Sequence, residues 1–224
     1  YISAFDSNAA IIHYKPLHKK SLSFRNRDIL LIDSGAQYLE GTTDITRVIN
    51  VGFKNLPKIK YFYTYLLKSL IKIENKIFPS KTSSSELDLF IRKYLSRFKI
   101  YYSHGTGHGV GNFGDVHEKY PIISSKSKDI LTNYNLFSIE PGHYVEGKFG
   151  IRIENLYVTQ INKNLMLKNI TLVPYDLDLI DFKLITNFER KYIKKYHQKI
   201  YNTLHPRLSI EYKNYFLKNL INKI

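Results

Sequence analysis

The stretch ILLIDSGAQYLEGTTDITRVINV, residues 29–51, decides how this chain folds. It holds two β-branched, apolar runs, Ile29 to Asp33 and Thr43 to Val51, joined by a segment that contains Gly35 and Gly41. β-Branched residues suit the pleated surface of a sheet, and glycine gives a tight connection its backbone freedom, so the stretch predicts a hairpin. Each arm carries one acid, Asp33 or Asp44. Side chains two apart on a strand share a face, which puts Thr46 beside Asp44 and sends Arg47 to the opposite side as a structural residue.

Further along, the pattern recurs. Runs from Leu136 to Glu140 and from Ile151 to Val158 flank Pro141-Gly142 and Gly147 to Gly150, and carry Glu140 and Glu154. A second hairpin is expected here, with Arg152 on the same face as Glu154. Between the two pairs of acids lies HGTGHGVG, residues 104–111, where Gly105, Gly107 and Gly109 argue against a helix and for a loop or strand presenting His108. Four carboxylates and one imidazole are hard oxygen donors plus one borderline nitrogen, a set suited to two divalent ions such as Mn²⁺. A closed structural zinc site prefers thiolates, and the chain has no cysteine. Four anions at one spot repel, so the cluster is stable as carboxylates only with cations in it. Arg152, two residues from Glu154, is expected to pair with one of these carboxylates, holding its rotamer and tempering the negative charge.

With those motifs in place, the chain closely resembles the catalytic domain of the X-prolyl aminopeptidases (aminopeptidase P) of the long, three-domain type. These belong to the pita-bread family, which also holds prolidase, creatinase and methionine aminopeptidase. The resemblance runs from NAAIIHY through DSGAQYLEGTTDITRV, SHGTGHGVGNFGDVHE, SIEPGHYVEGKFGIRIENLYVT and TLVPYDLDLID to ITNFERKYIKKYHQKIYNTLHPRL. It implies an α+β pita-bread fold, a curved, mostly antiparallel sheet with outer helices. It further implies Asp33 on one metal, Asp44 and Glu154 bridging two, and His108 with Glu140 on the other. Mn²⁺ is the expected ion, with Zn²⁺ or Co²⁺ as alternatives. Three substrate-facing histidines find matches in His13, His104 and His117. The implied reaction is hydrolysis of X-Pro-Y peptides by a hydroxide bridging the two metals, with Glu140 as general base and then acid. His104 and His117 are the implied hydrogen-bond donors to the substrate carbonyls and the developing oxyanion.

Prolidase and methionine aminopeptidase share the ligand order, but GTTDITR with HGTGHGVG and GIRIEN looks like aminopeptidase P. Those two activities, and a non-catalytic binding protein on the same fold, are the alternatives. After His117 the family usually continues HE-Gly-Pro, where this chain has Glu118-Lys119-Tyr120-Pro121. The resemblance divides the chain into a catalytic domain, residues 1–175, and a C-terminal helical extension, 176–224, that supports a homodimer. It also makes the chain a fragment that opens inside the catalytic domain, lacking the N-terminal part of the fold and two preceding domains. Such a fragment would expose a strand edge.

Composition bounds the rest. At 224 residues, 43% hydrophobic and 24% charged, the chain is ordinary for a soluble globular domain. No apolar run approaches the roughly 18 residues of a membrane span, and no signal-peptide pattern opens it, so a cytoplasmic protein without membrane contact is expected. The absence of cysteine fits a reducing compartment. A net charge of +15 would invite nucleic acid. The bases, however, concentrate in Lys54 to Lys99 and Lys183 to Lys223, on stretches of helical periodicity, which reads as solvated helix faces and argues against that partner. Helices are predicted from Pro57 to about Ile77, from the Ser83/Glu86 capping box to about Phe98, from Thr186/Glu189 to about Thr203, and beyond Pro206. The series Phe188, Tyr192, Ile193, Tyr196, Ile200 and Leu204 is expected to pack or form an interface.

Overall fold

The computed structural model describes residues 1–16, 28–52 and 55–216. The basic residues Lys54, Lys218 and Lys223, and residues 217–224 of the C-terminal extension, lie outside them. In chain order the elements are β1 (Ile2–Phe5), β2 (Ile29–Tyr38), β3 (Gly41–Asn50), α1 (Pro57–Glu74), β4 (Phe78–Pro79) and α2 (Ser84–Ser96). They continue with β5 (Gly107–Gly109), β6 (Glu118–Ile123), β7 (Leu136–Ile139), β8 (Gly142–Val145), β9 (Phe149–Arg152), β10 (Asn155–Asn162), β11 (Asn164–Asn169), α3 (Asn187–Leu204) and α4 (Ile210–Phe216).

The first hairpin forms as its sequence requires. In the β2–β3 register, Asp33 opposes Thr46 and Gly35 opposes Asp44, so both acids lie on one face, two positions apart. β1 pairs with β2 on its other side and is an edge of this three-stranded sheet.

The second expected hairpin is built differently. β7 pairs with β10 in a six-stranded sheet ordered β4-β11-β10-β7-β5-β6, while β8 and β9 form a separate hairpin between them. The run expected as one strand from Ile151 to Val158 is therefore split at Ile153-Glu154. Pro141 has no amide to continue a ladder. The amides of Glu140 and Glu154 bond instead to Thr106 O (2.8 Å) and Thr46 O (3.2 Å). Both glutamates thus stand just outside the β7–β10 ladder, Glu154 bonded to the first sheet through Thr46.

The helices follow local signals. Both capping boxes, Ser83 with Glu86 and Thr186 with Glu189, are formed. α1 ends at Glu74 rather than Ile77, where Asn75 caps it through Ile71 O. It buries Tyr63, Leu66, Leu67, Leu70 and Ile71 in the core, and joins α3 through a buried pair, Lys68 Nζ to Glu189 Oε2 at 2.6 Å. On α3, Ile193, Tyr196 and Ile200 are buried, and Phe188, in the first turn, is 59% exposed among the described residues. Among the described residues no helix is long and apolar enough to cross a membrane.

Candidate metal centre

Three pieces of backbone aim the acids and the imidazole at one point. The hairpin presents Asp33 and Asp44, the β7–β8 and β9–β10 breaks present Glu140 and Glu154, and β5 presents His108. β5 must be glycine on both sides of His108. A Cβ on Gly107 would sit 1.8 Å from Ser138 O, and one on Gly109 would sit 2.1 Å from Tyr120 O. No side chain fits between β5 and its neighbours, so those glycines let His108 reach the sheet centre.

The donor atoms of Asp33, Asp44 and Glu154 all lie within 4.8 Å of one another, as do those of His108, Glu140 and Glu154. A third group at the same spacing joins Asp44, His108 and His117. His108 Nδ1–H donates to Gly109 O (2.9 Å), which leaves Nε2 facing Glu140 Oε1 at 3.2 Å and Asp44 Oδ2 at 3.5 Å. An imidazole held by its far nitrogen in this way is oriented as a metal ligand is.

Glu154 provides the test of fit. Its Oε2 accepts from the Thr46 hydroxyl (2.7 Å), while Oε1 is buried with no hydrogen-bond partner. A buried carboxylate oxygen without a partner is costly, and a cation among these oxygens removes the cost. Two divalent ions fit the residues present.

The electrostatics agree. Burial pushes the Asp44 carboxyl up to about 6, helped by Asp33 and Glu140, and pushes Glu154 well up, helped by Glu140 and Asp44. For Glu140 burial acts the same way, but the His108 hydrogen bond and charge, with Arg152, outweigh it and hold the carboxyl low. Conversely, burial works against charge on His108, and Glu140 more than compensates, raising it. A metal held by Asp44 and Glu154 would compete with their protons, so its affinity should fall as pH drops through about 6. Calorimetry of Mn²⁺ binding in buffers of different ionisation enthalpy should show proton release near pH 6 that is larger than at about pH 8. Binding that releases no protons at the lower pH contradicts this arrangement.

Arg152, 2% exposed, pairs with Asp33 (Nη2 to Oδ2, 2.6 Å) and lies 3.7 Å from Glu140 Oε2. It reaches Glu154 only through Thr46, whose hydroxyl accepts from Arg152 Nε (3.1 Å) and donates to Glu154. Arg47 points to the other side, where it holds the carbonyl of Glu154 (2.5 Å) and of Val173 (2.7 Å).

The histidines separate by place. His104 Nδ1–H donates to Gly105 O (2.7 Å), and its Nε2 lies 2.9 Å from the Tyr144 hydroxyl. Arg152 Nη1 donates to the same Tyr144 oxygen (3.1 Å), so the tyrosine hydrogen is directed at His104. Burial lowers the His104 pKa, consistent with a neutral ring. His117 is exposed, its ring 4.0 Å from that of His108, and burial and the His108 charge lower its pKa. His13 is exposed on the wall of the same cleft, about 860 Å³ in volume.

Two contributors escape the sequence reading. Ser138 donates to Glu140 Oε1 (3.2 Å) and accepts from the His108 amide (3.1 Å). Its position two before Glu140 on one strand was a usable signal. Tyr144 had none, because only the fold of the β8–β9 hairpin sets its hydroxyl between His104 and Arg152.

Comparison with known proteins places this geometry. Residues 1–160 match metallopeptidase family M24, and residues 163–224 match the C-terminal region of peptidase M24. A probable Xaa-Pro aminopeptidase P of Arthroderma gypseum is 40% identical over 92% of this chain and 34% of its own length. The X-prolyl aminopeptidase of Caenorhabditis elegans, described as a cytosolic enzyme with a di-nuclear active site, superposes with a TM-score of 0.86 at 33% identity. That superposition covers 97% of this chain and 37% of the worm enzyme. A Pyrococcus horikoshii prolidase is 31% identical with a TM-score of 0.67, over 79% of this chain and 48% of its own. The chain thus has the pita-bread fold and spans about a third of the curated relatives it matches.

Proposed function

The chain belongs to metallopeptidase family M24, and we propose that it is the catalytic part of a metal-dependent aminopeptidase that removes the first residue from peptides with proline in second place. The observation that carries the reading is the pair of donor groups sharing Glu154, with a buried, unpartnered oxygen between them. In this reading Asp33, Asp44, His108, Glu140 and Glu154 would hold two divalent ions, with Asp44 and Glu154 shared between them. When bound, two divalent ions, Mn²⁺ foremost, supply Lewis acidity and lower the pKa of water toward neutrality.

The chain's own groups do the rest. Glu140, kept ionised by His108 and Arg152, takes the proton of the attacking water and returns it to the departing prolyl nitrogen. His117 and His13, on the open wall, bind the peptide. His104 is neutral and accepts from Tyr144 in the resting state, so it donates to a substrate carbonyl only after gaining a proton on Nε2. Arg152 fixes Asp33 directly and Glu154 through Thr46, which keeps the acids from drifting apart under mutual repulsion.

The Arthroderma and worm relatives favour proline specificity. A prolidase activity on X-Pro dipeptides is the second reading, favoured by the archaeal structure. A cytosolic placement rests on the worm enzyme. A homodimer through residues 176–224 is supported by the exposed Phe188, Ile210 and Tyr212 along that extension.

Specificity separates the readings. With Mn²⁺, the full-length protein should release the first residue from X-Pro-Y tripeptides and longer chains, and alanine in place of proline should cost more than about tenfold in kcat/KM. Faster cleavage of X-Pro dipeptides would favour prolidase, and faster cleavage of Met-Ala peptides would favour methionine aminopeptidase. Absence of hydrolysis by the metal-loaded protein would leave a non-catalytic binding protein.

A further inference from the structure

We propose that the Asp88–Arg92 ion pair on α2 positions the loop that carries His104, and through it sets substrate recognition; the inference rests on the peptidase reading above. The loop from Ser103 to Thr106 has no regular structure, and Gly105 within it adds freedom. Something outside the loop must hold His104 in place.

Arg92 does so with every face of its fork. Its Nε lies 2.9 Å from both oxygens of Asp88, one helical turn earlier. Its Nη1 donates to Tyr102 O (2.8 Å) and its Nη2 to His104 O (2.6 Å), while the guanidinium lies over the Tyr102 ring at 4.1 Å. Asp88, fully buried, accepts from the Thr106 hydroxyl at 2.5 Å. Thr106 in turn bonds the Tyr102 hydroxyl, and its carbonyl accepts from the Glu140 amide (2.8 Å). One pair of side chains thus grips the loop at residues 102, 104 and 106.

Asp88 is buried while the Arg92 side chain is 31% exposed, so solvent screens the pair and desolvation of Asp88 offsets its attraction. What this pair provides is geometry. The planar guanidinium holds two carbonyls and a carboxylate from fixed, separated donors; lysine gathers its three donors on one compact nitrogen and cannot reach all three positions. The Ser83 capping box fixes where α2 begins, and hence which face presents Asp88 and Arg92 to the loop.

A double-mutant cycle on the full-length, Mn²⁺-loaded protein tests this. Arg92→Lys should lower kcat/KM on an X-Pro-Y peptide by about tenfold to a hundredfold, as a displacement near 1 Å does. It should leave metal content unchanged. In a His104→Ala background the same change should cost less than about twofold, because the group it positions is gone. Equal losses in both backgrounds, or metal loss with Arg92→Lys, would overturn the proposal. A crystal structure of Arg92→Lys, or of Asp88→Asn if the lysine variant does not fold, gives a readout apart from activity. The His104 ring should have left Tyr144, and a ring still in place overturns the idea. Failure of the wild-type protein to cleave X-Pro-Y would strike the functional reading alone, and the crystallographic arm would still decide this one.

Discussion

Asp44→Asn and Glu154→Gln are each expected to abolish binding of the paired metals and to lower kcat by about three orders of magnitude or more. Both residues stand in donor groups on either side of the centre, Glu154 with Asp33 and Asp44 and again with His108 and Glu140. An amide of the same shape offers one neutral oxygen where a bridge needs two anionic ones. The fold should survive, because burial and the neighbouring acids already disfavour charge at both positions without metal. Neutral amides there relieve repulsion, so the melting temperature of the metal-free variants should equal or exceed that of the metal-free parent. Elemental analysis showing full occupancy in either variant would sink the bridging assignment, whatever the activity.

Replacing His104 and His108 in turn should separate recognition from ligation. His108→Ala removes a nitrogen oriented toward Glu140 and Asp44 and should lose metal. His104 belongs to none of the donor groups among the described residues and contacts Tyr144 instead. His104→Ala should therefore keep metal near the parental level while costing about 10² in kcat/KM, the scale of a lost transition-state donor. Equal metal loss in the two variants would show that the division of roles is wrong. His117 is a sharper case, since its donor atom lies within 4.8 Å of those of Asp44 and His108. Metal analysis of His117→Ala thus reports whether it serves the peptide, as proposed, or the ion.

How much of this was legible beforehand depended on range. The first hairpin, three helix starts, two of them with capping boxes, and the five candidate ligands could be read directly. Those signals are local, set by side-chain alternation, by a hydroxyl three residues before a glutamate, and by glycine beside a histidine. The second hairpin was misread because alternation continues through Ile153-Glu154, while the hydrogen bonds that break the strand come from Thr46 and Thr106, far away in sequence.

By itself, the sequence picked out the candidate ligands, the first hairpin and the main helices, and set an arginine beside the acids. Only the tertiary structure decided the partners: Arg152 with Asp33, 119 residues apart, Tyr144 between His104 and Arg152, and Arg92 beneath the His104 loop. The reason is directional. A strand or helix fixes which face a side chain leaves from, but what it meets depends on how sheets and helices from distant parts of the chain come together, and buried polar groups must find their partners there.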